Sequence, residues 1–379
     1  MADPLNPDTF EAAAAALSRA AAAGQPVRVL GGGTKAGWGG PAPAAAAQLR
    51  TGRLNRTLEH NVGDLTAIFE AGVPLARAQA ELAAAGQMLA IDPPLGADGA
   101  ATLGGVFATA DSGPLRHRYG QPRDLVLGMT VALSDGTIAR SGSKVIKNVA
   151  GYDVAKLFTG AFGTLGVILS VSVRLHPLPP GTATALGAAS DPAVLARAAL
   201  ALSRAPLERE ALDVAWRGGR GGLLAQSGGT ESERRARRVA ALMREHGLEG
   251  VDVTTDDAGL WSRQRAGQRS ARAALVRVAR RPTELAALAA LVDDCGATLM
   301  GRAGLGISFV ELDPDAVARF REGLPQAAVA TVLDAPASLR QTLAAWPAPD
   351  GPALALMRRV KQRFDPAAVC NPGVFVGGI

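Results

Sequence analysis

The chain has 379 residues, of which 48% are hydrophobic and 20% charged, so a largely disordered protein is excluded and two or three domains are expected. The formal net charge is +6 and the aromatic content is 4%. No basic run is interleaved with aromatic residues, so a biased composition explains the charge better than a nucleic-acid surface does. Two cysteines cannot form a disulfide scaffold or ligate a four-cysteine cluster, and four scattered histidines suggest no metal site.

The N-terminal segment does not have the pattern of a secretory signal, because its start is acidic and charges are interspersed through it. No apolar stretch reaches the roughly 20 residues that a membrane helix needs. With so little cysteine, a cytoplasmic location is expected.

The first half of the chain alternates helices and short strands. A helix is predicted from Asp8 to about Ala23, and the strand Val27 to Leu30 runs directly into a glycine-rich loop. A hairpin is predicted around Ser134-Asp135-Gly136. The other predicted elements are strands near 46–50, 57–60, 65–70, 88–91 and 167–175, and a helix over 74–85.

Pro177, Pro179 and Pro180 predict a domain boundary. Beyond it, helices alternate twice with paired strands, which indicates an antiparallel sheet with helices on one face and an α+β fold. The predicted helices cover 191–204, 231–246, 283–294 and 314–322, and the strands 211–217, 222–226, 250–254, 273–279, 297–301, 305–311 and 327–333. The predicted domains are 1–178, 179–345 and a tail, 346–379, that begins in a proline-rich linker.

The glycine-rich loop contains Gly31, Gly32, Gly33, Thr34 and Lys35. A Rossmann site needs a helix to begin at once, and the glycines and proline of residues 37–41 prevent that. A Walker A motif is absent. The loop is therefore either an anion-binding nest of backbone N–H groups or a mobile turn, and its residues alone do not decide between them.

A second glycine-rich region favours the ligand-binding interpretation. The segment 101–113 combines small residues with hydroxyls, which allow close approach to a flat ligand and supply hydrogen bonds to its polar edge. Together the strings GGGTK, ATLGGVFATADSGPLRHRYG, KNVAGYDVAKLFTGAFGTLGVI and KQRFDP…NPG resemble the FAD-binding (E) subunits of bacterial glycolate oxidases. These subunits belong to the vanillyl-alcohol oxidase/p-cresol methylhydroxylase flavoprotein superfamily, and the likeness is strongest over residues 28–178.

The resemblance implies a PCMH-type FAD-binding domain of two subdomains, an antiparallel α+β cap, and a tail that returns to the FAD domain. It implies FAD as the cofactor. The residues that it assigns to FAD are Leu30, Gly31, Gly32, Gly33, Thr34, Lys35, Pro93, Thr102, Gly104, Gly105, Thr109, Ser112, Gly113, Gly163, Gly166, Val167 and Ile168. Some superfamily members attach FAD through a histidine; for His117 an ordinary hydrogen-bonding role is favoured.

Catalytic residues are harder to assign. Related catalytic subunits carry an H-A-G-D-G motif in the cap, and this chain has Arg302 and Leu305 in place of its histidine and acid. Arg302 is a candidate clamp for a substrate carboxylate. Lys147 and Tyr152 are candidates near the flavin, with a salt bridge or a buried hydroxyl as the alternative.

The expected function is that of an FAD-dependent 2-hydroxy-acid oxidoreductase. The first hypothesis is the FAD-binding subunit of a multi-subunit glycolate oxidase, with a homologous flavin catalytic subunit and an iron–sulfur subunit as partners. Membrane association would then come through these partners. The alternatives are a stand-alone dehydrogenase of D-lactate type and a non-catalytic assembly subunit with a vestigial flavin site.

Overall fold

The structure, a computed structural model, describes residues 5–142, 153–348 and 351–379. The strands of these residues are β1 Val27–Leu30, β2 Ala47–Arg50, β3 Thr57–Asn61, β4 Thr66–Glu70, β5 Gln87–Met88, β6 Val126–Ala132, β7 Ile138–Gly142, β8 Val167–Arg174, β9 His176–Pro177, β10 Thr182–Ala189, β11 Ala211–Arg217, β12 Arg220–Gly228, β13 Glu249–Thr254, β14 Ala274–Ala279, β15 Thr298–Arg302, β16 Ile307–Leu312 and β17 Val329–Asp334.

The α-helices are α1 Phe10–Ala22, α2 Leu75–Ala83, α3 Leu103–Thr109, α4 Arg116–Tyr119, α5 Pro122–Leu125, α6 Val154–Phe158, α7 Pro192–Arg204, α8 Ser232–Glu245, α9 Ala258–Ala266, α10 Leu285–Asp294, α11 Val317–Glu322, α12 Ala337–Thr342 and α13 Gly351–Phe364. Short 3-10 turns lie between some of them. Within the described ranges, none of these helices has both the length and the apolar character needed to cross a membrane.

The chain divides into two compact units. Unit 1 comprises the described residues within Met1–Ser112, Gly120–Leu178 and Ala348–Ile379, and unit 2 comprises Gly113–Tyr119 and Pro179–Pro347. The segment Gly113–Tyr119 therefore groups with unit 2, although the sequence-based boundary kept it in the first domain. One reason is the ion pair between Arg118 and Glu210, whose Nη1 and Oε1 atoms are 3.2 Å apart.

Unit 1 contains a five-stranded antiparallel sheet in the order β3-β4-β8-β6-β7 and a separate parallel pair, β1-β2. The helix α1 begins after Thr9, whose side chain accepts a hydrogen bond from the Ala12 N–H. Its small buried face, which includes Ala13 and Leu17, packs in one core with Val27 of β1 and Val167 of β8. This packing fixes β1 and the loop that follows it.

Unit 2 contains an eight-stranded antiparallel sheet in the order β13-β10-β12-β11-β15-β16-β14-β17. Alternate residues of β11, such as Leu212 and Val214, join buried residues of α7, α8, α10 and α11 in one core. The helix α9 instead contacts a residue outside that core, because the Trp261 Nε1–H donates to Thr184 Oγ1. The antiparallel α+β prediction is confirmed. The helix α9, which was not predicted, lies outside this core.

Most predicted elements are present, and the predicted hairpin is β6-β7 with Gly136 in the left-handed region at φ 88°. The predicted strand at 88–91 is shorter, because only Gln87–Met88 pairs, with β9. The helix α3 forms within the segment 99–123, where no helix or strand was assigned from the sequence. Hydrogen bonding by Thr102, which caps α3, offsets the poor helix propensity of Gly104 and Gly105.

Candidate functional site: a glycine-lined cavity in unit 1

A cavity in unit 1 encloses about 750 Å³ of space, its open mouth included. It is bounded by β1 and the loop after it, by α3, by the segment 162–168 and by the C-terminal tail. The lining residues are Arg28, Val29, Leu30, Gly31, Gly32, Gly33, Thr34, Lys35, Ala36, Trp38, Thr51, Thr102, Gly104, Gly105, Ala108, Thr109, Phe162, Gly163, Gly166, Ile168, Asn371 and Val374.

The structure gives a different reason for glycine at each of the three positions after β1. A Cβ on Gly31 would overlap the Thr102 hydroxyl, and a Cβ on Gly32 would overlap the Ala100 carbonyl. These two glycines therefore let the loop pack against the segment before α3. Gly33 is in the left-handed region at φ 73°, and a Cβ there would have no neighbour within 4 Å. Among the three, Gly33 alone has open space at the position of a Cβ.

The C-terminal tail forms part of the cavity wall. The Val27 N–H donates to the Val369 carbonyl at 2.7 Å, and the Asn371 N–H donates to the Val27 carbonyl at 2.9 Å, so the tail runs beside β1. The Asn371 side chain then joins two walls, because its Oδ1 accepts from the Val29 N–H at 2.7 Å and its Nδ2 donates to the Phe162 carbonyl at 2.6 Å.

A buried lysine anchors this tail to the rest of unit 1. Lys361 Nζ donates to Asp365 Oδ2 at 2.6 Å, to the Thr164 carbonyl at 2.7 Å and to the Cys370 carbonyl at 2.9 Å. Burial raises the pKa of Asp365, but hydrogen bonds from Lys361 and from the Cys370 N–H outweigh it and lower that pKa overall. Burial and the neighbouring Asp365 carboxylate raise the pKa of Cys370, which keeps this thiol protonated.

Two cations line the cavity among its described residues, Arg28 and Lys35. Lys35 Nζ is 3.2 Å from Asp111 Oδ2, and both side chains are buried. Arg28 Nη2 donates to the Ala36 carbonyl at 2.5 Å, whereas its buried Nη1 has no hydrogen-bond partner among the residues described. Burial lowers the pKa of Arg28. An unpaired donor of this kind calls for an anionic or carbonyl acceptor.

Thirteen of the seventeen predicted FAD residues line this cavity. The other four are Pro93, Ser112, Gly113 and Val167: Pro93 is buried outside the lining, Ser112 is 8% exposed, Gly113 groups with unit 2, and Val167 packs in the α1 core. The Thr109 hydroxyl donates to the Gly105 carbonyl at 2.9 Å, within α3 itself. The predicted Lys147 and Tyr152 lie outside the described residues.

Arg302, the predicted carboxylate clamp, is in unit 2 and is 1% exposed. Its Nη1 donates to Asp213 Oδ2 at 2.8 Å, across the pairing of β11 with β15. Its guanidinium also lies 5.5 Å from the centre of the Phe309 ring. The structure therefore gives this arginine an internal partner, and any role with substrate would compete with that ion pair.

His117 is also in unit 2. Burial and the neighbouring Arg209 lower its pKa to about 4. No group of three or more His, Cys, Asp or Glu side chains is placed to hold a metal ion within residues 5–142, 153–348 and 351–379.

Sequence reasoning missed Arg28 and Asn371 in the cavity wall. Arg28 belongs to an unremarkable strand in an arginine-rich chain, so no local signal separated it from other arginines. Asn371 had a signal, because an Asn-Pro-Gly turn favours residues that tolerate the left-handed region, and Asn371 has φ 42°.

Comparisons with known proteins agree with this geometry. Residues 5–142 match the FAD binding domain family, and residues 348–375 match the C-terminal domain of FAD linked oxidases. The chain carries an FAD-binding domain. The second match includes Lys361, Asp365 and Asn371, the residues that attach the tail to the cavity.

The matches to curated relatives each cover less than half of the chain. It is 36% identical over 154 residues to the glycolate oxidase subunit GlcE of Escherichia coli, a match that covers 41% of this chain and 43% of that subunit. It is 36% identical over 173 residues to a D-lactate dehydrogenase of Archaeoglobus fulgidus, covering 46% and 38% of the two chains. The glycolate oxidase subunit GlcD of Bacillus subtilis is 37% identical over 134 residues, covering 35% and 28%.

The matched part of each of these relatives is thus less than half of its length. Solved structures of alkyldihydroxyacetonephosphate synthase share the fold over 97% of this chain and 76% of theirs, with TM-scores of 0.69 and 0.71 at 16% identity. The fold likeness thus extends over more of the chain than each of the curated matches does. On these findings residues 5–142 form an FAD-binding domain, and part of the chain is similar to glycolate oxidase subunits and D-lactate dehydrogenases.

The residues around the cavity suit FAD. The described lining contains two cations and no carboxylate, which suits a diphosphate. Gly33 leaves open space, and Arg28 Nη1 lacks an acceptor. The lining is otherwise dominated by glycine, alanine and apolar side chains, which can approach a planar ring closely.

Proposed function

We propose that this chain is the FAD-binding subunit of a multi-subunit glycolate oxidase, which oxidises glycolate to glyoxylate. The observation that carries the proposal is the cavity of unit 1, closed by a tail of the FAD linked oxidase type. The likeness to the subunit GlcE adds support, because 36% of 154 matched residues are identical.

When bound, FAD supplies the acceptor for the hydride that leaves the α-carbon of a 2-hydroxy acid. The residues from Leu30 to Lys35 and from Thr102 to Thr109 would hold it, with Gly163, Gly166 and Ile168 on the opposite wall. A base must accept the proton of the substrate hydroxyl. For that proton we propose Lys147 or Tyr152 as the acceptor.

A carboxylate substrate also requires a cation. The sequence suggests Arg302 for this role. Its guanidinium is already paired with the Asp213 carboxylate, which argues against Arg302 as the substrate cation. Reaction in the complex would then rely on a cation of the homologous flavin subunit.

Electrons must leave the subunit after oxidation of the substrate. The sequence contains Cys295 and Cys370 only, and two cysteines cannot ligate a four-cysteine cluster. Cys370 is buried. We therefore propose an iron–sulfur subunit as the electron acceptor and a homologous flavin subunit as the second partner. In this proposal the chain is cytoplasmic and associates with the membrane through these partners.

A second candidate function is a stand-alone dehydrogenase for D-lactate or a similar 2-hydroxy acid. The likeness to the Archaeoglobus fulgidus D-lactate dehydrogenase favours it, since its identity to this chain, 36%, equals that of GlcE. A non-catalytic assembly subunit with a vestigial flavin site is a third candidate, and the preserved cavity argues against it.

The test is anaerobic flavin reduction by the purified chain, alone and with its co-expressed partners. We expect the chain to contain FAD, to be bleached slowly by glycolate when alone, and to be bleached rapidly in the complex. Rapid bleaching of the isolated chain by D-lactate would favour the stand-alone enzyme. An isolated chain that neither retains nor takes up FAD would support the vestigial site and overturn the proposal.

A further inference from the structure

The cavity of unit 1 has to neutralise the two phosphate groups of FAD, and the cations available in its described lining are Arg28 and Lys35. The sequence alone favours Lys35, because it directly follows the glycines and a hydroxyl. The contacts of the two side chains lead to a different assignment.

Lys35 is already paired with the carboxylate of Asp111. Its ammonium is 3.2 Å from Asp111 Oδ2, and the two side chains are 6% and 4% exposed. The ammonium also lies 5.8 Å from the centre of the Trp38 ring, which is itself buried. A phosphate that approached Lys35 would meet a cation whose charge is compensated and would lie near a second negative group, Asp111.

Arg28 has only part of its donors engaged. Its Nη2 donates to the Ala36 carbonyl, which holds the guanidinium against the loop after β1. Its Nη1 is buried and finds no acceptor in the described part of the chain. Leaving such a donor without a partner is costly, and an anion in the cavity would satisfy it.

The fork of a guanidinium also suits the chemistry of a phosphate. Arginine presents parallel N–H groups that can bind two oxygens, and it stays charged when it is partly buried. Gly33 lies on the same loop and leaves open space. Arg28 therefore combines an unmet donor with a place in the wall of the same cavity as Gly33.

We propose that Arg28, rather than Lys35, is the principal cation that binds the phosphates of FAD in this chain. The proposal rests on the cavity being the FAD site and not on the identity of the substrate. Lys35 is in this assignment an internally paired cation, because the Asp111 carboxylate compensates its charge.

The test compares ligands that differ in their phosphates. Binding of FAD, ADP and riboflavin to the full apoprotein is measured by calorimetry at two salt concentrations, for wild type, Arg28→Gln, Arg28→Lys and Arg50→Gln. Arg50 is the matched control, because it is an exposed arginine whose Cα pairs with that of Leu30 on the neighbouring strand.

We expect Arg28→Gln to weaken FAD and ADP about tenfold to a hundredfold, in line with the loss of a charge-assisted hydrogen bond, and to leave riboflavin within twofold. The FAD and ADP affinities of Arg28→Lys should lie between those of wild type and Arg28→Gln. Arg50→Gln should bind FAD and ADP as wild type does. The salt dependence of ADP binding should decrease in Arg28→Gln, because one fewer charge meets the phosphates.

Ratios of dissociation constants are taken within each variant, so partial unfolding does not imitate the effect. An Arg28→Gln variant that binds ADP within twofold of wild type would overturn the proposal. So would an equal loss of riboflavin and ADP, since it would give Arg28 a structural role. None of these readouts depends on substrate turnover, so failure of the glycolate oxidase assignment would leave them unchanged.

Discussion

Units 1 and 2 both bury a cation against an aspartate, but the surroundings of the two pairs differ. The pair of Lys35 with Asp111 borders a cavity of about 750 Å³. The pair of Arg302 with Asp213 lies between adjacent strands, at 1% and 0% side-chain exposure, with the Phe309 ring beside it. The same chemistry therefore serves a ligand site in one unit and the interior of a sheet in the other. A cation that looks catalytic in a sequence cannot be ranked until its partner is known.

The largest expected effect is from breaking the pair in unit 2. Asp213→Ala leaves the Arg302 guanidinium buried without its carboxylate, and we expect the free energy of unfolding to fall by about 3–5 kcal/mol. Chemical denaturation measures the loss. The double variant Asp213→Leu/Arg302→Met should recover most of it, because no unpaired charge remains. A loss below about 1 kcal/mol in the single variant would show that the pair does not stabilise unit 2.

A second effect concerns the pH response of unit 2. The pKa of His117 is lowered from 6.5 to about 4, first by burial and then by Arg209, so the folded state binds fewer protons than the unfolded state between these values. Stability should therefore be fully present above pH 6.5 and decrease as the pH falls toward 4, by on the order of 3 kcal/mol.

Denaturation at several pH values checks this response. His117→Gln should remove this part of the pH dependence, whereas His246→Gln, at the end of α8, should retain it. Parallel curves for wild type and His117→Gln between pH 4 and 6.5 would contradict the assignment.

Breaking the pair in unit 1 should have a smaller effect on stability. Asp111→Ala leaves Lys35 without its carboxylate, but Lys35 lines a cavity in which water can solvate it, so we expect a loss of about 2 kcal/mol. FAD affinity should stay within threefold of wild type or increase, because a second uncompensated cation then lines the cavity. Calorimetry tests this, and a tenfold loss of FAD affinity would instead place Asp111 among the residues that FAD requires.

The smallest expected effect on stability is that of Gly33→Ala, which should cost about 1 kcal/mol because of the left-handed conformation. Gly296 is a matched control in unit 2, since it has φ 61° and a Cβ there would also have no neighbour within 4 Å. Both substitutions should lower the stability of the apoprotein by the same amount in thermal denaturation. Gly33→Ala alone should weaken FAD, about tenfold, by filling space in the cavity, and equal FAD affinities in the two variants would place Gly33 outside the FAD site.

Much of the fold follows from local patterns. The hairpin β6-β7 follows from a Ser-Asp-Gly turn between two apolar runs, and α8 follows from the spacing of Ala236, Val239, Ala240 and Met243, all buried on one face. The helix α3 could not be predicted in this way. Its stability depends on the local cap from the Thr102 hydroxyl and on packing of Gly104 close to Ala71, and the second of these is a tertiary contact that no local pattern contains.

The cavity was predictable where it is built from contiguous glycines and was not predictable where distant segments meet. The loop from Gly31 to Lys35 and the glycines of α3 were identified from sequence. The roles of Arg28, Lys35 and Arg302 depend on which carboxylate lies opposite each side chain, and no local pattern contains that information. Only the folded chain shows that Asp111 and Asp213 have engaged two of the three cations.

The tail beside β1 also has a consequence for the biogenesis of this flavoprotein. Val29 and Asn371 lie 342 positions apart and share a hydrogen bond in the cavity wall. During synthesis, β1 and the loop after it emerge from the ribosome long before the segment that completes their binding site. Nascent chains should therefore have no complete site for FAD, and the cofactor should load only after translation has passed Asn371.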